Sequence, residues 1–288
     1  MSRGETRQPT LRAQWLAQRM RELRQRRGLS TEEAAKYFGK DRSALGRYER
    51  ADWPFQRTDV HALLDVYRVF DGRDRAQLLQ LCDDAWRTDQ WDVDFADAFC
   101  DSTFVDYTWL ESRAALIGAY TPSVLHGLLQ TREYAEAMIR LSEGGAPEEK
   151  IARWVELRMR RQRVLDGGQT RFAAIVDNAV LRRAIGGPAV LRAQLAHLAA
   201  LVQRPHIEIR ILPERVNLAA RFNGAFSVFR MPAGFPEVAY LENFAGRMYL
   251  ESPRSQRFVL AYDQLREAAL SANESVKLIR AMAEELTT

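Results

Sequence analysis

Apolar positions in the first part of the chain recur at helical spacing. Residues 11–27 carry apolar side chains three to five positions apart, with arginines between them, which is typical of an amphipathic helix that ends near Gly28. Similar spacing predicts helices over residues 31–38, 42–50, 59–69 and 75–86, and Gly39, Pro54 and Gly72 mark the turns. Residues 1–88 are therefore predicted to form an all-helical bundle.

The pattern changes beyond this bundle. A helix reaching residue 116 and two more after Pro122 and Pro147 predict a helical connector over residues 89–168. Strands are predicted only in the last 120 residues, for the segments RFAAIV, IEIRIL, AFSVFRM, EVAYLEN and RMYLE. Helices are predicted for residues 181–187 and 188–203 and for the end of the chain. We predict an α+β fold whose C-terminal lobe, residues 169–288, holds a small, largely antiparallel sheet.

Charge is distributed unevenly. Residues 1–57 hold 14 Lys and Arg against 7 Asp and Glu, a net charge of +7, so the remainder carries 4 − 7 = −3. Residues 83–111 contain nine acids and a single arginine, Arg87. This division predicts a head that meets a polyanion and a body that does not.

The lack of a recognisable targeting segment and the usage of cysteine indicate an intracellular protein. No apolar run approaches the roughly 18 residues of a membrane span, and the N-terminal segment has no apolar core typical of a secretory signal. Cys82 and Cys100 match neither a metal pattern nor a disulfide framework, so reduced, buried thiols are predicted. We expect a cytoplasmic protein without a membrane partner.

The segment STEEAAKYFGKDRSALGRYERA, residues 30–51, predicts two short helices joined by a tight turn. Ser30 and Glu33 form the pattern of a capping box, and Asp41 suits the start of the second helix. Ala35 is small enough for two helices to cross closely, and Gly39 fits a helix end that needs a positive φ. This combination predicts a helix-turn-helix; an ordinary basic bundle with surface arginines is the alternative.

The second helix of this motif is predicted to turn its basic side outward. With Leu45 and Tyr48 facing inward, Arg42, Ser43, Arg47 and Arg50 face solvent, where arginine can bond guanine O6 and N7. Ala44 is expected to meet a thymine methyl group. Thr31 and Lys40 are expected to contact phosphates, Thr31 at a helix start and Lys40 in the turn. The predicted DNA-binding residues are Thr31, Lys40, Arg42, Ser43, Ala44, Arg47 and Arg50.

These residues resemble a known family. The stretch from Trp15 to Pro54 is similar to the XRE-type (lambda-repressor-like) helix-turn-helix domain of bacterial regulators. Lys40 stands where that family usually has an apolar residue, and Ala51 where a glycine commonly follows. From Trp91 onward, GAYTPSVLHGLLQTREYA, VELRMRRQRVL and VAYLEN resemble the C-terminal domain of unknown function of antitoxin-like actinobacterial regulators. The resemblance implies a transcriptional regulator, often encoded beside a small protein partner, with no agreed ligand.

The C-terminal lobe shows little sign of catalysis. The four histidines have no metalloprotease spacing, and no phosphate-binding glycine loop or nucleophile motif is present, so we expect no enzyme activity, cofactor or metal. Glu242 and Asn243 end a strand and suit either recognition or a turn. Arginines of residues 158–163 are expected to form a solvated helix face, with a DNA or acidic-partner contact as the alternative. A set of aromatic and apolar residues could either pack in the core or line a ligand pocket. These residues are Tyr120, Pro122, Leu128, Leu129, Tyr134, Phe222, Phe226, Tyr240 and Phe244.

Two functions remain open from the sequence. The first is a sequence-specific regulator that binds double-stranded DNA as a homodimer and senses a small molecule or protein with its C-terminal region, because two-fold operators pair half-sites about one helical turn (~34 Å) apart. The alternative is an antitoxin-like interaction protein that mainly holds a small adjacent-gene protein, attracted by the acidic segment 83–111, with autoregulatory DNA binding.

Overall fold

The chain divides into two units, Met1–Asp106 and Tyr107–Thr288. The structure, a computed structural model, describes residues 9–86, 103–232, 235–243 and 246–286. The predicted boundaries at residues 88 and 168 stay a prediction. None of the helices in the described residues has both the length and the mean hydropathy that a bilayer-spanning helix needs.

Every regular element described in the first unit before residue 87 is a helix, as predicted. These helices are α1 (Leu11–Arg26), α2 (Thr31–Tyr37), α3 (Arg42–Glu49), α4 (Arg57–Val66) and α5 (Gly72–Trp86). Their core is formed by apolar side chains of α1 and α4 and by small side chains of α2, including the fully buried Met20, Leu63 and Ala34. Helix α6 (Thr103–Arg113) contains the point where the two units divide.

Four helices of this unit end in the same way, with a residue in the left-handed region. The residues are Gly28, Gly39, Ala51 and Arg68, with φ between 57° and 73°. In each, the next N–H donates to a carbonyl five residues back, for example Lys40 N to Ala35 O at 3.1 Å, which is the Schellman arrangement. Glycine adopts this conformation without strain, whereas Ala51 and Arg68 carry a Cβ there.

The second unit is built on a six-stranded mixed sheet. Its strands are β1 (Leu116–Thr121), β2 (Arg171–Asp177), β3 (Ile207–Leu212), β4 (Phe226–Arg230), β5 (Val238–Asn243) and β6 (Gly246–Glu251). They lie in the order β3-β2-β1-β4-β5-β6. The pairs β1–β2 and β2–β3 are parallel, and the other three are antiparallel. The α+β class is therefore confirmed.

The helices of this unit join and cover the strands. They are α7 (Arg132–Ser142), α8 (Glu148–Arg161), α9 (Pro188–Leu201), α10 (Gln256–Ala268) and α11 (Ala272–Glu285). Helix α10 packs against β1, β3 and β4, and α9 packs against α11. One core cluster joins Tyr120, Ile175 and Phe226 of the sheet to Tyr262 and Leu265 of α10.

Three predictions about this unit are wrong. Strands are not confined to the last 120 residues, because β1 lies at positions 116–121, and the helix predicted to reach residue 116 ends at Arg113. Strand β1 is central and buried along almost its whole length, so it lacks the apolar–polar alternation of a surface strand. The helix predicted for residues 181–187 is a short 3₁₀ helix, Asn178–Arg182, and Gly187, with φ 96°, then starts α9.

Gly118 of β1 shows why this strand carries small residues. A Cβ at this position would lie 2.9 Å from the ring of Tyr262, closer than packed atoms approach. The Tyr262 hydroxyl donates to the carbonyl oxygen of Ala173 at 2.9 Å, which fixes the ring across β1 and β2. The glycine is therefore required by the close packing of α10 on the sheet.

Candidate nucleic-acid interface

The turn between α2 and α3 is fixed by side chains that are local in the sequence. Ser30 N donates to the Glu33 carboxylate at 2.8 Å, and Glu33 N donates to Ser30 Oγ at 3.1 Å, so the predicted capping box is present. Asp41 accepts from Ala44 N at 2.7 Å and caps α3. Gly39 has φ 65°, as its predicted role requires. The two helices therefore start and stop where their capping residues place them.

Small and apolar side chains close the crossing of α2 and α3. Ala34, Ala35 and Leu45 have at most 1% of their surface exposed. Ala44 is buried as well, at 9% exposure. The expectation that Ala44 meets a thymine methyl group is corrected by this burial, because its own methyl group lies against the bundle and offers little surface to a base.

An aromatic cluster supports the end of α3. The ring of Tyr48 stacks on Phe55 with centroids 5.0 Å apart, and it makes edge contacts with Phe38 and Trp53, each at 5.6 Å. Offset and edge-to-face pairs add stability beyond the area that they bury. Tyr48 thus joins α3 to the turn before it and to the segment after it.

A buried ion pair ties α3 to α1. The Arg24 guanidinium donates to both Glu49 oxygens, at 2.6 and 2.9 Å, and to the carbonyl oxygen of Leu29 at 2.7 Å. The two charged side chains are 8% and 6% exposed. The bond to Glu49 raises the pKa of Arg24, so the guanidinium stays charged. A two-point bond of this kind fixes orientation as well as distance.

The remaining side of α3 is exposed and basic. Arg42 and Ser43, in the first helical turn, are both exposed, and within the described part of the chain the Arg42 guanidinium forms no hydrogen bond or ion pair. Arg47 is exposed, and its guanidinium lies 4.7 Å from the ring centroid of Trp53. Arg50 is exposed but bonds Asp52, with Nη2–Oδ2 at 2.9 Å. The predicted reading residues Arg42, Ser43 and Arg47 thus share one accessible side.

Lys40 and Thr31 have different surroundings. Lys40 is exposed in the turn, with its ammonium 5.8 Å from the ring centroid of Phe38. Thr31 is half-buried at the start of a helix of only seven residues. Glu32 and Glu33 in the same helical turn bring negative charge beside the N–H groups that would hold a phosphate. Lys40 is accordingly the better placed of the two, and both contacts stay predictions.

Three residues that organise this surface were not identified from the sequence. Arg24, Glu49 and Trp53 hold α3 and orient Arg47, yet none of them belongs to the predicted set. The sequence did contain a signal for Glu49. This residue lies four positions after Leu45 and therefore shares its inward face, where a buried carboxylate needs a partner. Which arginine supplies that partner depends on the packing of α1.

The arginines of residues 158–163 do not form a uniformly solvated face, so that prediction is wrong. Arg161 is largely buried and bonds both Glu111 oxygens at 2.8 and 2.9 Å. Arg158 is half-buried and donates to Gln130 Oε1 at 2.8 Å. Both arginines hold α8 in its own unit, which leaves them poorly placed for a phosphate or an acidic partner. The acid that Arg161 needs lies 50 residues earlier in the chain.

A half-buried histidine lies in the same network. The Nδ1 atom of His126 accepts from Leu128 N at 3.2 Å, so Nε2 carries the proton and faces the Tyr107 hydroxyl at 3.1 Å. Burial, with the positive charges of Arg161 and Arg158 beside it, lowers the pKa of His126 to about 3. His126 is therefore neutral near pH 7.

The aromatic residues considered for a pocket are mostly core. Tyr120, Leu128, Leu129, Tyr134, Phe226 and Tyr240 are at most 6% exposed. Phe222 is 74% exposed and lies outside that core, Pro122 is half-buried, and Phe244 falls outside the described residues. Glu242 accepts from the Tyr240 hydroxyl and from Arg247 at the end of the β5–β6 hairpin, so it serves the turn.

The described cysteine and the described acids of residues 83–111 are either buried or paired. Cys82 is a buried free thiol; burial raises its pKa to about 11, whereas Cys100 lies outside the described residues. Of the acids in residues 83–111, the structure describes four. Asp83 pairs with Arg57, and Asp84, Asp106 and Glu111 are buried. The described ranges contain no group of three His, Cys, Asp or Glu side chains arranged to hold a metal ion.

Comparisons with known protein families match the two parts of the chain separately. Residues 15–78, which include α2 and α3, match the family described as helix-turn-helix domain. No curated protein and no solved structure matches the chain significantly. Residues 104–281 match the family described as domain of unknown function (DUF5753). Since that match covers more than half of the chain, and spans the sheet with its surrounding helices, the protein belongs to the DUF5753 family and carries a helix-turn-helix domain ahead of it.

Proposed function

We propose that the protein is a sequence-specific transcriptional regulator whose helix α3 enters the major groove of DNA. The observation that carries the proposal is the pair Arg42 and Ser43, exposed in the first turn of a helix whose opposite face is buried. In helix-turn-helix proteins, the first residues of the second helix contact base edges. The match of residues 15–78 to the helix-turn-helix family supports the same assignment.

Each basic residue has a distinct role in this proposal. Arg42 bonds guanine O6 and N7, because its two-pronged guanidinium fits those acceptors. Arg47 reads a second base from a position preset by Trp53 beneath it. Arg50 contributes less, because Asp52 already balances its charge. Lys40 contacts a phosphate and positions the head without reading sequence.

The second unit supplies dimerisation and sensing in this proposal, and it has no catalytic role. A single small head makes few base contacts, so a two-fold operator requires two copies. The sensed species is a small molecule or a protein partner. The protein acts in the cytoplasm, where its DNA lies.

An antitoxin-like role is the second candidate. It would use the acidic segment 83–111 to attract a basic partner protein. The described acids of this segment give the antitoxin-like role little support, because Asp83 is paired with Arg57 and the other three are buried. Co-expression with the product of the neighbouring gene separates the two: co-purification of a stoichiometric complex would favour the antitoxin-like role.

The experiment that tests the proposal starts with operator selection from random double-stranded DNA by the full chain. On the selected site, Arg42→Ala is expected to cost about 1–3 kcal/mol and to relax specificity at one base pair. Lys40→Ala is expected to weaken cognate and random DNA equally and to reduce the salt dependence by about one counterion.

A charge-matched control is available in the same unit. Arg73 is exposed near the start of α5, so Arg73→Ala removes one positive charge without touching α2 or α3. It is expected to leave base preference unchanged. If Arg42→Ala behaves like Arg73→Ala on every sequence, the assignment of α3 as the reading helix is wrong.

A further inference from the structure

A groove lies in the second unit where strand β6 leads into helix α10. The connection between these elements is short, and across it Ser255 N donates to the main-chain oxygen of Glu251 at 3.0 Å. The end of the strand therefore lies beside the first turn of the helix. The groove has a volume of about 380 Å³ and is lined by Leu250, Pro253, Arg254, Arg257 and Phe258. Small-molecule sites usually measure about 300–1,000 Å³, so the groove suits one small ligand.

One wall of the groove is apolar and fixed in place. The Phe258 ring packs against Phe226 of β4, with centroids 5.5 Å apart, which joins it to the core of this unit. Phe258 and Leu250 are both half-buried, so each keeps part of its surface accessible. Met248, on the same face of β6 as Leu250, is 44% exposed and extends the apolar surface. A wall that is already ordered loses little entropy when a ligand covers it.

The other side of the groove carries two positive charges. Arg254 and Arg257 are exposed, and among the residues that the structure describes neither guanidinium forms a hydrogen bond or an ion pair. Other arginines of this unit are compensated, as in the pairs that Arg161 and Arg221 form with acids at 2.8 Å. Residues 252–262 contain no Asp or Glu. The groove therefore combines an apolar wall with positive charge that its own segment does not balance.

This combination identifies a class of ligand. We propose that the groove binds a small organic anion, whose apolar body rests on Leu250 and Phe258 and whose carboxylate or phosphate is held by Arg254 and Arg257. Guanidinium groups match both kinds of oxyanion with two parallel hydrogen bonds. A bare phosphate backbone would make no use of the apolar wall. The inference rests on the sensing role proposed for the second unit, and it names the site and the chemistry of the sensed molecule.

The test is a calorimetric titration of the full chain without DNA. 1-Naphthyl phosphate and 1-naphthoate each join an apolar ring system to an oxyanion, and both are expected to bind. 1-Naphthol lacks the charge and inorganic phosphate lacks the ring system, so each is expected to bind at least about tenfold more weakly. The tighter of the two anions identifies the preferred head group. Added salt is expected to weaken the two naphthyl anions, because the arginines are exposed.

Matched variants locate the binding in the groove. Arg254→Gln and Arg257→Gln are each expected to weaken 1-naphthyl phosphate about tenfold, because each removes a charge-assisted hydrogen bond. Arg192→Gln is the control, because Arg192 is an exposed arginine of α9 that does not line the groove. It removes the same charge and is expected to leave binding unchanged. All three side chains are exposed, so the substitutions should not impair folding.

A second pair of variants tests the apolar wall. Leu250→Ser is expected to weaken 1-naphthyl phosphate about tenfold, because the ring system loses its contact with the wall. Leu260→Ser removes an apolar side chain that is 64% exposed on α10 and does not line the groove, so it should leave binding unchanged.

The outcomes separate this site from the proposed function. If neither naphthyl anion binds more tightly than inorganic phosphate, or if Arg192→Gln weakens binding as much as Arg257→Gln, the site is overturned. DNA reading by α3 and sensing of a protein partner would still stand, because no DNA or partner is present. Sensing requires that the anion change operator affinity, since coupling between two sites is reciprocal. A groove that binds 1-naphthyl phosphate while operator affinity stays constant keeps the site and overturns its sensing role.

Discussion

The buried pair Arg24–Glu49 gives a sharp test of how α3 is held. We expect Glu49→Ala to destabilise the helix-turn-helix by about 3–5 kcal/mol, because it leaves a charged guanidinium buried without its partner. Arginine cannot escape by losing its proton, since its pKa lies above the accessible range. Both partners are less than a tenth exposed, so added salt should change this cost little.

Replacing both partners gives the opposite expectation. The double variant Arg24→Met with Glu49→Leu removes both charges and keeps most of the side-chain volume. Replacing a buried ion pair by apolar residues is often neutral or stabilising, so this variant should lie within about 1 kcal/mol of the original chain. The contrast between the single and double variants measures the cost of the unpaired charge and separates it from lost packing.

The assay is amide hydrogen exchange followed by mass spectrometry, read on the peptides that contain α1 and α3. Exchange reports the opening free energy locally, which matters in a chain of two units whose global unfolding need not be two-state. Arg19 and Glu22 form a partly exposed pair on α1, with N–O 3.1 Å, so Glu22→Ala is the matched control and should cost under about 1 kcal/mol. If Glu49→Ala costs no more than Glu22→Ala, the reasoning is refuted.

Two further predictions concern backbone strain and proton linkage. Arg68 is exposed with φ 57°, so Arg68→Gly should stabilise α4 by about 0.5–1 kcal/mol. This value is the backbone strain that glycine relieves minus the conformational entropy that glycine adds to the unfolded chain. Ala62→Gly, at an exposed interior site of α4, should instead destabilise the helix by about 1 kcal/mol. Denaturation midpoints check the pair, and equal signs would contradict the strain argument. The pKa of His126 is about 3 in the folded protein, against the ordinary histidine pKa of about 6.5. Between these values the unfolded chain binds a proton that the folded chain does not, so stability falls as pH falls through that window. From pH 7 to pH 5 the loss should be about 2 kcal/mol more than in His126→Gln, and a parallel pH profile in urea denaturation would show that His126 carries no such linkage.

The sequence predicted the helix-turn-helix well because its determinants are local. A capping box spans three residues, as in Ser30 and Glu33, and a left-handed helix end needs only a glycine such as Gly39. The exposure of Arg42 and Arg47 follows from the same helical period that buries Leu45. Five of the six strands were also predicted, since their apolar segments are bounded by turn residues.

The features that the sequence did not reveal involve residues far apart in the chain. Strand β1 lacks alternation, and its small Gly118 is explained only by Tyr262, 144 positions later. Arg161 looked solvated because its partner Glu111 lies on another helix. Ala51 ends α3 in a conformation that glycine usually adopts, where the surrounding packing outweighs its local preference.

For this protein, the sequence by itself determined where α2 and α3 begin and end and which side of α3 is basic. Capping, glycine conformation and helical period act within a few residues, so they can be read along the chain. The tertiary structure alone decided which charges are available. Arg24 and Arg161 are neutralised by acids brought from distant segments, Arg42 remains accessible, and β6 becomes an edge. The physical reason is that burial makes an unpaired charge costly, and only the folded chain determines what is buried and which groups meet.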